Sequence, residues 1–251
     1  MEHKPVCIII GASHGGVTCA FALRREGWSG EIHLYDGDAD LPYHRPPLSK
    51  AYLGEGVESQ LLKPAESYAE ENITLHLGRW VERIDPAKRV IILADGEERT
   101  YDKLVLATGG TPLIPELSGL RGARNVFTLR TAQNARNIRN ANGKRVVVIG
   151  GGYIGLEVAA SLRKQGAEVT ILEREKRVLS RVTAPIMSHF FRELHEDHGV
   201  NIVIGATVGG IAWERTEQHV VTMGGAWYPA DLIVVGVGIR PNVSLAANAG
   251  L

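Results

Sequence analysis

Two glycine-rich turns constrain this chain more than any other feature: Gly11-Ala12-Ser13-His14-Gly15-Gly16 and Gly150-Gly151-Gly152-Tyr153-Ile154-Gly155. Each follows a short apolar run and opens a segment of helical periodicity. Phosphate oxygens must approach backbone N–H groups at a helix N-terminus, where glycine removes the Cβ obstruction and the helix dipole favours negative charge. One such turn points to a dinucleotide. Two in one chain point to two dinucleotides and to electrons moving between them.

The second turn has the fuller context. It follows the β-branched run Arg145-Val146-Val147-Val148-Ile149 and precedes Leu156 to Gln165, an apolar-faced helix closed by Gly166. A further strand, Glu168 to Leu172, runs into Glu173, where a dinucleotide fold places the carboxylate that receives the adenosine ribose hydroxyls. Glu173 also favours NADH: a 2′-phosphate ~4 Å from it would meet repulsion of about 4 kcal/mol at an effective dielectric of about 20. Arg174 and Arg177 are the counterweight, able to receive that phosphate if Glu173 points away.

In the first turn Ser13 stands at the middle glycine position, which weakens the motif without removing it. Val6 to Ile10 precedes the turn as a strand, and Val17 to Glu26 follows as a helix stopped by Gly27. The next strand, Glu31 to Tyr35, ends at Asp36, the natural ribose partner, with Asp38 its competitor if the turn is one step longer.

Composition narrows the function classes. Lys+Arg 28 against Asp+Glu 28 in 251 residues leaves no basic excess for nucleic acid and no charge block for an anionic membrane. The apolar run Val6 to Ile10 is too short for a signal core or a span, so a soluble cytoplasmic protein is expected. Cys7 and Cys19 form no close pair for dithiol chemistry and read as small hydrophobes. His195, Glu196 and His198 could meet a metal at helical spacing, but a solvated helix face is the simpler reading, and no metal is expected.

The chain reads as one plan written twice. The first copy runs from the Gly11 turn through short strands at Ile73–Leu77, Trp80–Ile84 and Val90–Leu93 to Asp102 and Ala107-Thr108-Gly109. The second runs from the Gly150 turn through strands at Asn201–Ile204, Gly210–Trp213 and His219–Thr222 to Asp231 and Gly236-Val237-Gly238. This duplication predicts an α/β fold of two Rossmann-like, three-layer dinucleotide-binding domains, each with a β-meander. The Pro/Gly-rich stretch Gly110 to Gly122 is the crossing linker, and Arg240-Pro241-Asn242 the return.

Between the first ribose acid and the first meander stands Leu41-Pro42-Tyr43-His44-Arg45-Pro46-Pro47-Leu48-Ser49-Lys50, whose paired prolines pre-set a helical turn and project Arg45 and Lys50. With this RPPLSK block, both glycine turns, the Ala107-Thr108-Gly109 strand end and the run GGGYIGLE at 150–157, the chain closely resembles the single-component FAD-dependent ferredoxin reductases. These serve ring-hydroxylating dioxygenase and cytochrome P450 systems. The resemblance covers about Val6 to Leu251.

That resemblance implies residues 1–112 as the first part of an FAD-binding domain, 113–239 as an inserted NAD-binding domain, and 240–251 as the return to the first. Gly11, Ser13, His14, Gly15 and Gly16 would hold the FAD pyrophosphate. Arg45, Lys50, Ala107, Thr108, Gly109 and Arg130 would lie along the flavin, and Val81 would meet the adenine through its backbone. The family's ribose acid aligns without gaps to Gly37, leaving Asp36 and Asp38 as the candidates. Gly150, Gly152, Tyr153, Ile154, Gly155, Glu173 and Gly238 would hold NADH. Glu157, read as lying in the first turn of its helix, would pair with Lys50 and fix both side chains against the flavin, a dipole-favoured glutamate being the alternative. Lys50 and Glu157 are therefore the catalytic candidates.

The implied reaction is hydride transfer from NADH to FAD, then single electrons to a [2Fe–2S] ferredoxin or related redoxin. Two rivals stand beside it: a flavin NADH oxidase or apoptosis-inducing-factor-like protein, and a non-catalytic nucleotide-binding fragment. In the family a further strand with a Gly-Asp flavin contact and a small third domain follow the NADH domain. The sequence stops before either.

Overall fold

A computed structural model describes residues 4–55 and 60–251. Over these the chain forms two compact units, one from residues 4–44, 60–111 and 241–251, the other from 45–55 and 112–240. In sequence the second is inserted into the first. Both are Rossmann-like α/β units.

In the first unit, Val6–Ile10 pairs in parallel with Glu31–Asp36 on one side and Lys103–Leu106 on the other, and Ile73–Leu77 adds beyond Glu31–Asp36. The period-2 alternation of a strand buried on both faces then builds three layers. Cys7 and Ile9 meet Val17 and Ala20 of the His14–Arg25 helix, while Ile8 and Ile10 meet Val81, Ile84, Ile91 and Leu93 of an antiparallel meander. That meander comprises Val81–Asp85, Val90–Leu93 and Glu98–Thr100. Each such fully buried aliphatic side chain contributes about 1.5–3 kcal/mol relative to exposure.

The second unit repeats the plan. Its parallel sheet runs Val200–Ile204, Glu168–Glu173, Arg145–Ile149, Leu232–Val235, Val126–Thr128. The meander Val208–Glu214, Glu217–Thr222, Trp227–Pro229 closes a core of Val147, Ile149, Ile211, Val220, Ile233 and Val235. An aspartate anchors the central strand in each unit: Val6 N–H donates to Asp102 at 2.7 Å and Arg145 N–H to Asp231 at 2.9 Å. Asp231 also holds the Arg145 guanidinium, whose hydrogen bonds keep its carboxyl below the usual range.

Two strands read from sequence as meander strands belong to the parallel sheets instead. Ile73–Leu77 follows the Ala65–Glu70 helix, and Val200–Ile204 follows the Pro185–Asp197 helix. A helical crossover returns the chain in the same direction, so each arrives parallel to its neighbour. The third meander strands are the short Glu98–Thr100 and Trp227–Pro229, too brief to carry an alternation signal. Among the described residues no helix is long and apolar enough to cross a membrane.

Candidate functional site

The two glycine turns are the same structure built twice. Gly11 and Gly150 share a φ of 107°, which glycine adopts without strain. Their N–H groups donate to Tyr35 O at 2.7 Å and Leu172 O at 2.9 Å. A Cβ on Gly11 would collide with Ala107 O, and one on Gly150 with Gly236 O; a Cβ on Gly16 or Gly155 would strike the carbonyl oxygen of Gly11 or Gly150. Each turn is thus packed against the carbonyl end of the neighbouring strand, which places Ala107-Thr108-Gly109 beside the first turn.

The helices that follow start at His14 and Tyr153, earlier than their apolar faces indicate. Neither carries an acidic residue in its first turn or a side-chain cap hydrogen bond, and a Cβ on Gly152 would meet open space. N–H groups with no side-chain cap, in a first helical turn that has no acidic residue of its own, fit the pyrophosphate of a dinucleotide.

Each turn is met by the acid at the end of the second strand. Asp36 accepts from Ala12 N–H at 2.6 Å and Asp38 N–H at 2.8 Å; Glu173 accepts from Gly151 N–H at 2.5 Å and Glu175 N–H at 2.7 Å. Asp38 stands apart from the turn, accepting from the Tyr43 hydroxyl at 2.9 Å and from Asp40 N–H. Arg177 donates to Thr183 O, Ser180 O and the Ser188 hydroxyl, and Arg174 pairs with Glu175.

Lys50 and Glu157 are brought together in the second unit, with Nζ 2.9 Å from Oε1. The paired prolines start a 3-10 turn, Pro46–Ser49, that runs into the Ala51–Glu55 helix and presents Lys50 at its end. Three bonds fasten this segment to the Tyr153–Lys164 helix: the Ser49 hydroxyl to Glu157 Oε2 at 2.5 Å, the Ser161 hydroxyl to Ser49 O at 2.6 Å, and Gln165 to Leu53 O at 3.1 Å. Because the helix begins at Tyr153, Glu157 lies in its second turn rather than the first. Lys50 and Ser49, more than the helix dipole, hold its carboxylate.

Arg45 donates to Arg130 O at 2.6 Å, and the Thr131–Asn134 capping box fixes Arg130, whose N–H donates to Asn134 Oδ1 at 3.1 Å. In the first unit Val81 is buried at the start of the meander. Gly238, with φ 131°, accepts from Leu113 N–H through its carbonyl; Tyr153 and Ile154 are exposed.

Four participants have a role that the sequence reading does not assign. Ser49 has 2 % exposure and orients Glu157. Asn242 exchanges hydrogen bonds with Thr108 in both directions, 2.8 and 2.9 Å, so the return segment secures the end of the first copy's last strand. His44 Nδ1 lies 3.2 Å from His14 Nε2, one ring donating to the other. Trp80 covers Gly37. For Ser49 the neighbouring lysine is a signal; the other three pairings depend on tertiary contacts.

The cysteines are free: Cys7 is buried and burial pushes its thiol pKa up, while Cys19 is half-buried on a helix. His195 bonds the carbonyls of Phe191 and Leu156 and His198 that of Leu194, so their nitrogens serve backbone, and no metal-competent cluster occurs among the described residues.

Residues 5–251 match the family model described as pyridine nucleotide-disulphide oxidoreductase. The sequence is 45 % identical to putidaredoxin reductase of Pseudomonas putida, over 97 % of this chain and 60 % of the relative's length. It is 39 % identical to a rubredoxin-NAD(+) reductase of the same species, over 97 % of this chain and 64 % of the relative. The structure resembles the covalent putidaredoxin reductase–putidaredoxin complex (TM-score 0.92, 43 % identity, 100 % of this chain and 62 % of the matched chain). It also resembles the ferredoxin reductase for the CYP199A2 system of Rhodopseudomonas palustris (TM-score 0.93, 38 % identity, 99 % and 62 %). The chain therefore spans about 60 % of the length of these relatives.

Proposed function

The chain belongs to the pyridine nucleotide-disulphide oxidoreductase family, and on that premise we propose that its first unit holds FAD, its second holds NADH, and the protein delivers electrons to a [2Fe–2S] ferredoxin or related redoxin. The observation that carries this reading is the duplicated turn, with Asp36 and Glu173 each bonded to the second residue of its own glycine loop. FAD, when bound, supplies the conversion from hydride acceptance to single-electron release.

The residues bind and orient. Gly11, Ser13, His14, Gly15 and Gly16 would cradle one pyrophosphate, with Asp36 at the ribose, Val81 at the adenine, and Ala107, Thr108 and Gly109 beside the turn. Gly150, Gly152, Tyr153, Ile154 and Gly155 would cradle the other, with Glu173 at the ribose and Gly238 toward the nicotinamide. Arg45, Lys50 and Arg130 would approach the flavin. NADH is preferred because Glu173 points at its turn and Arg177 is fully engaged away from it. The Lys50–Glu157 pair, held by Ser49, keeps an ammonium fixed on the second unit.

A redoxin acceptor is supported by the relatives, whose names specify putidaredoxin and rubredoxin, and by cysteines that are free and packed in a hydrophobic core cluster. A cytoplasmic setting belongs to the same proposal. The test is NADH-dependent cytochrome c reduction with and without added [2Fe–2S] ferredoxin. Strong ferredoxin dependence supports the reading; equal oxygen-consuming turnover without ferredoxin assigns an NADH oxidase instead.

A further inference from the structure

Gly37 directly follows Asp36 at the end of the second strand, and a tryptophan covers it. A Cβ on Gly37 would collide with Trp80 Cε3 and lie 3.0 Å from Cζ3 and 3.5 Å from Cδ2, so the indole rests directly on the Gly37 backbone. Only glycine leaves room for that approach. The main chain that carries the indole is held from both directions. Arg79 N–H donates to Asp36 O at 2.8 Å and Gly78 N–H to Asp38 O at 3.0 Å, while Trp80 O accepts from Ala94 N–H at 2.9 Å.

One face of the ring is thus backed by protein, yet Trp80 remains 63 % exposed. Trp80 stands one residue before Val81 and lies over Gly37, the residue that follows Asp36 at the carboxyl end of the second strand, where nucleotides bind in sheets of this kind. Both oxygens of Asp36 already accept backbone N–H groups, so much of that carboxylate's capacity serves the turn. A rigid, half-backed indole at this place is a stacking platform.

We propose that Trp80 binds the adenosine end of FAD by stacking on the adenine, and that Gly37 is glycine to seat the indole. The inference rests on the assignment of FAD to the first unit. A flat apolar contact of this kind predicts affinity that depends on the adenine and little on ionic strength.

The test is titration of flavin-free protein with FAD, read by flavin fluorescence and absorbance, for the wild type, Trp80→Ala, Trp80→Phe and Gly37→Ala. Base stacking on an aromatic side chain is worth enough that Trp80→Ala should weaken FAD about tenfold, with Trp80→Phe retaining most of the affinity. Gly37→Ala should weaken FAD in the wild-type background and have little further effect with Trp80→Ala. AMP should compete with FAD for the wild type and lose that ability in Trp80→Ala. Circular dichroism checks that the variants are folded. Wild type that binds FAD with Trp80→Ala binding it equally overturns the tryptophan role alone; wild type that binds no FAD overturns the cofactor assignment itself.

Discussion

Asp36 and Glu173 occupy one position in two copies of a single turn: each carboxylate reaches the N–H of the second turn residue, Ala12 at 2.6 Å or Gly151 at 2.5 Å, and each accepts the N–H two residues further on. One side chain therefore secures the loop conformation and presents negative charge at its mouth. The longer glutamate and the shorter aspartate do so equally because their strands end in matching register, Tyr35 O and Leu172 O each receiving the first glycine N–H.

For Glu173 this predicts altered cofactor choice. Glu173→Ala removes repulsion toward a 2′-phosphate and the hydrogen bonds to Gly151 and Glu175, so NADH should weaken while the NADH-over-NADPH preference falls by about tenfold or more. Dissociation constants for both nucleotides check this. An unchanged preference would show that the carboxylate does not face the ribose.

The turns themselves should tolerate change unevenly. Gly16→Ala and Gly155→Ala put a Cβ into the carbonyl oxygen of Gly11 or Gly150 and should destabilise by about 2 kcal/mol or more. Gly152→Ser meets open space at a φ of −81° and reproduces the residue of the first turn, so its denaturation midpoint should stay near wild type. Equal loss at both kinds of site would contradict the packing described.

Much of this is legible in the sequence, for a physical reason: the turns, the strand runs and the end-of-strand acids are local patterns, fixed by backbone sterics and period-2 burial. The sheet membership of Ile73–Leu77 and Val200–Ile204 is not, because a five-residue apolar strand reads alike in a meander and at a parallel edge. What decides it is the crossover helix before each. The partners of Ser49, Asn242 and Trp80 are hidden for a related reason. Glu157, Thr108 and Gly37 lie 108, 134 and 43 positions away, respectively.

Lys50→Ala and Glu157→Gln should each slow flavin bleaching by NADH on the order of tenfold, since the first removes the ammonium and the second leaves it without its counter-charge. Stopped-flow absorbance measures this directly. Ser49→Ala should produce a smaller slowing in the same direction, because Lys50 still holds Glu157. Unchanged bleaching in Lys50→Ala rejects its role.

A histidine outside the nucleotide turns sets a pH dependence of stability. His76 stacks on Tyr35 at 4.2 Å and shares a 3.0 Å hydrogen bond with His33. Burial, then the neighbouring His33, Arg99 and Arg79, lower its pKa to about 4, with Glu97 opposing. The unfolded chain takes up that proton near 6.5, so between about 6.5 and 4 it binds more protons than the folded one. Stability is fully present above this window and declines as pH falls through it. Urea midpoints should drop from pH 7.5 to pH 4.5, and His76→Gln should flatten the slope; identical slopes would contradict the linkage.

The most direct measurement of the central claim is the visible spectrum of the purified 251-residue chain, reconstituted with FAD, before and after anaerobic NADH. Two nucleotide-binding units working together predict an oxidised flavin band that bleaches on NADH addition. A protein that binds NADH yet takes up no flavin, or whose flavin band is unmoved by NADH, would contradict it.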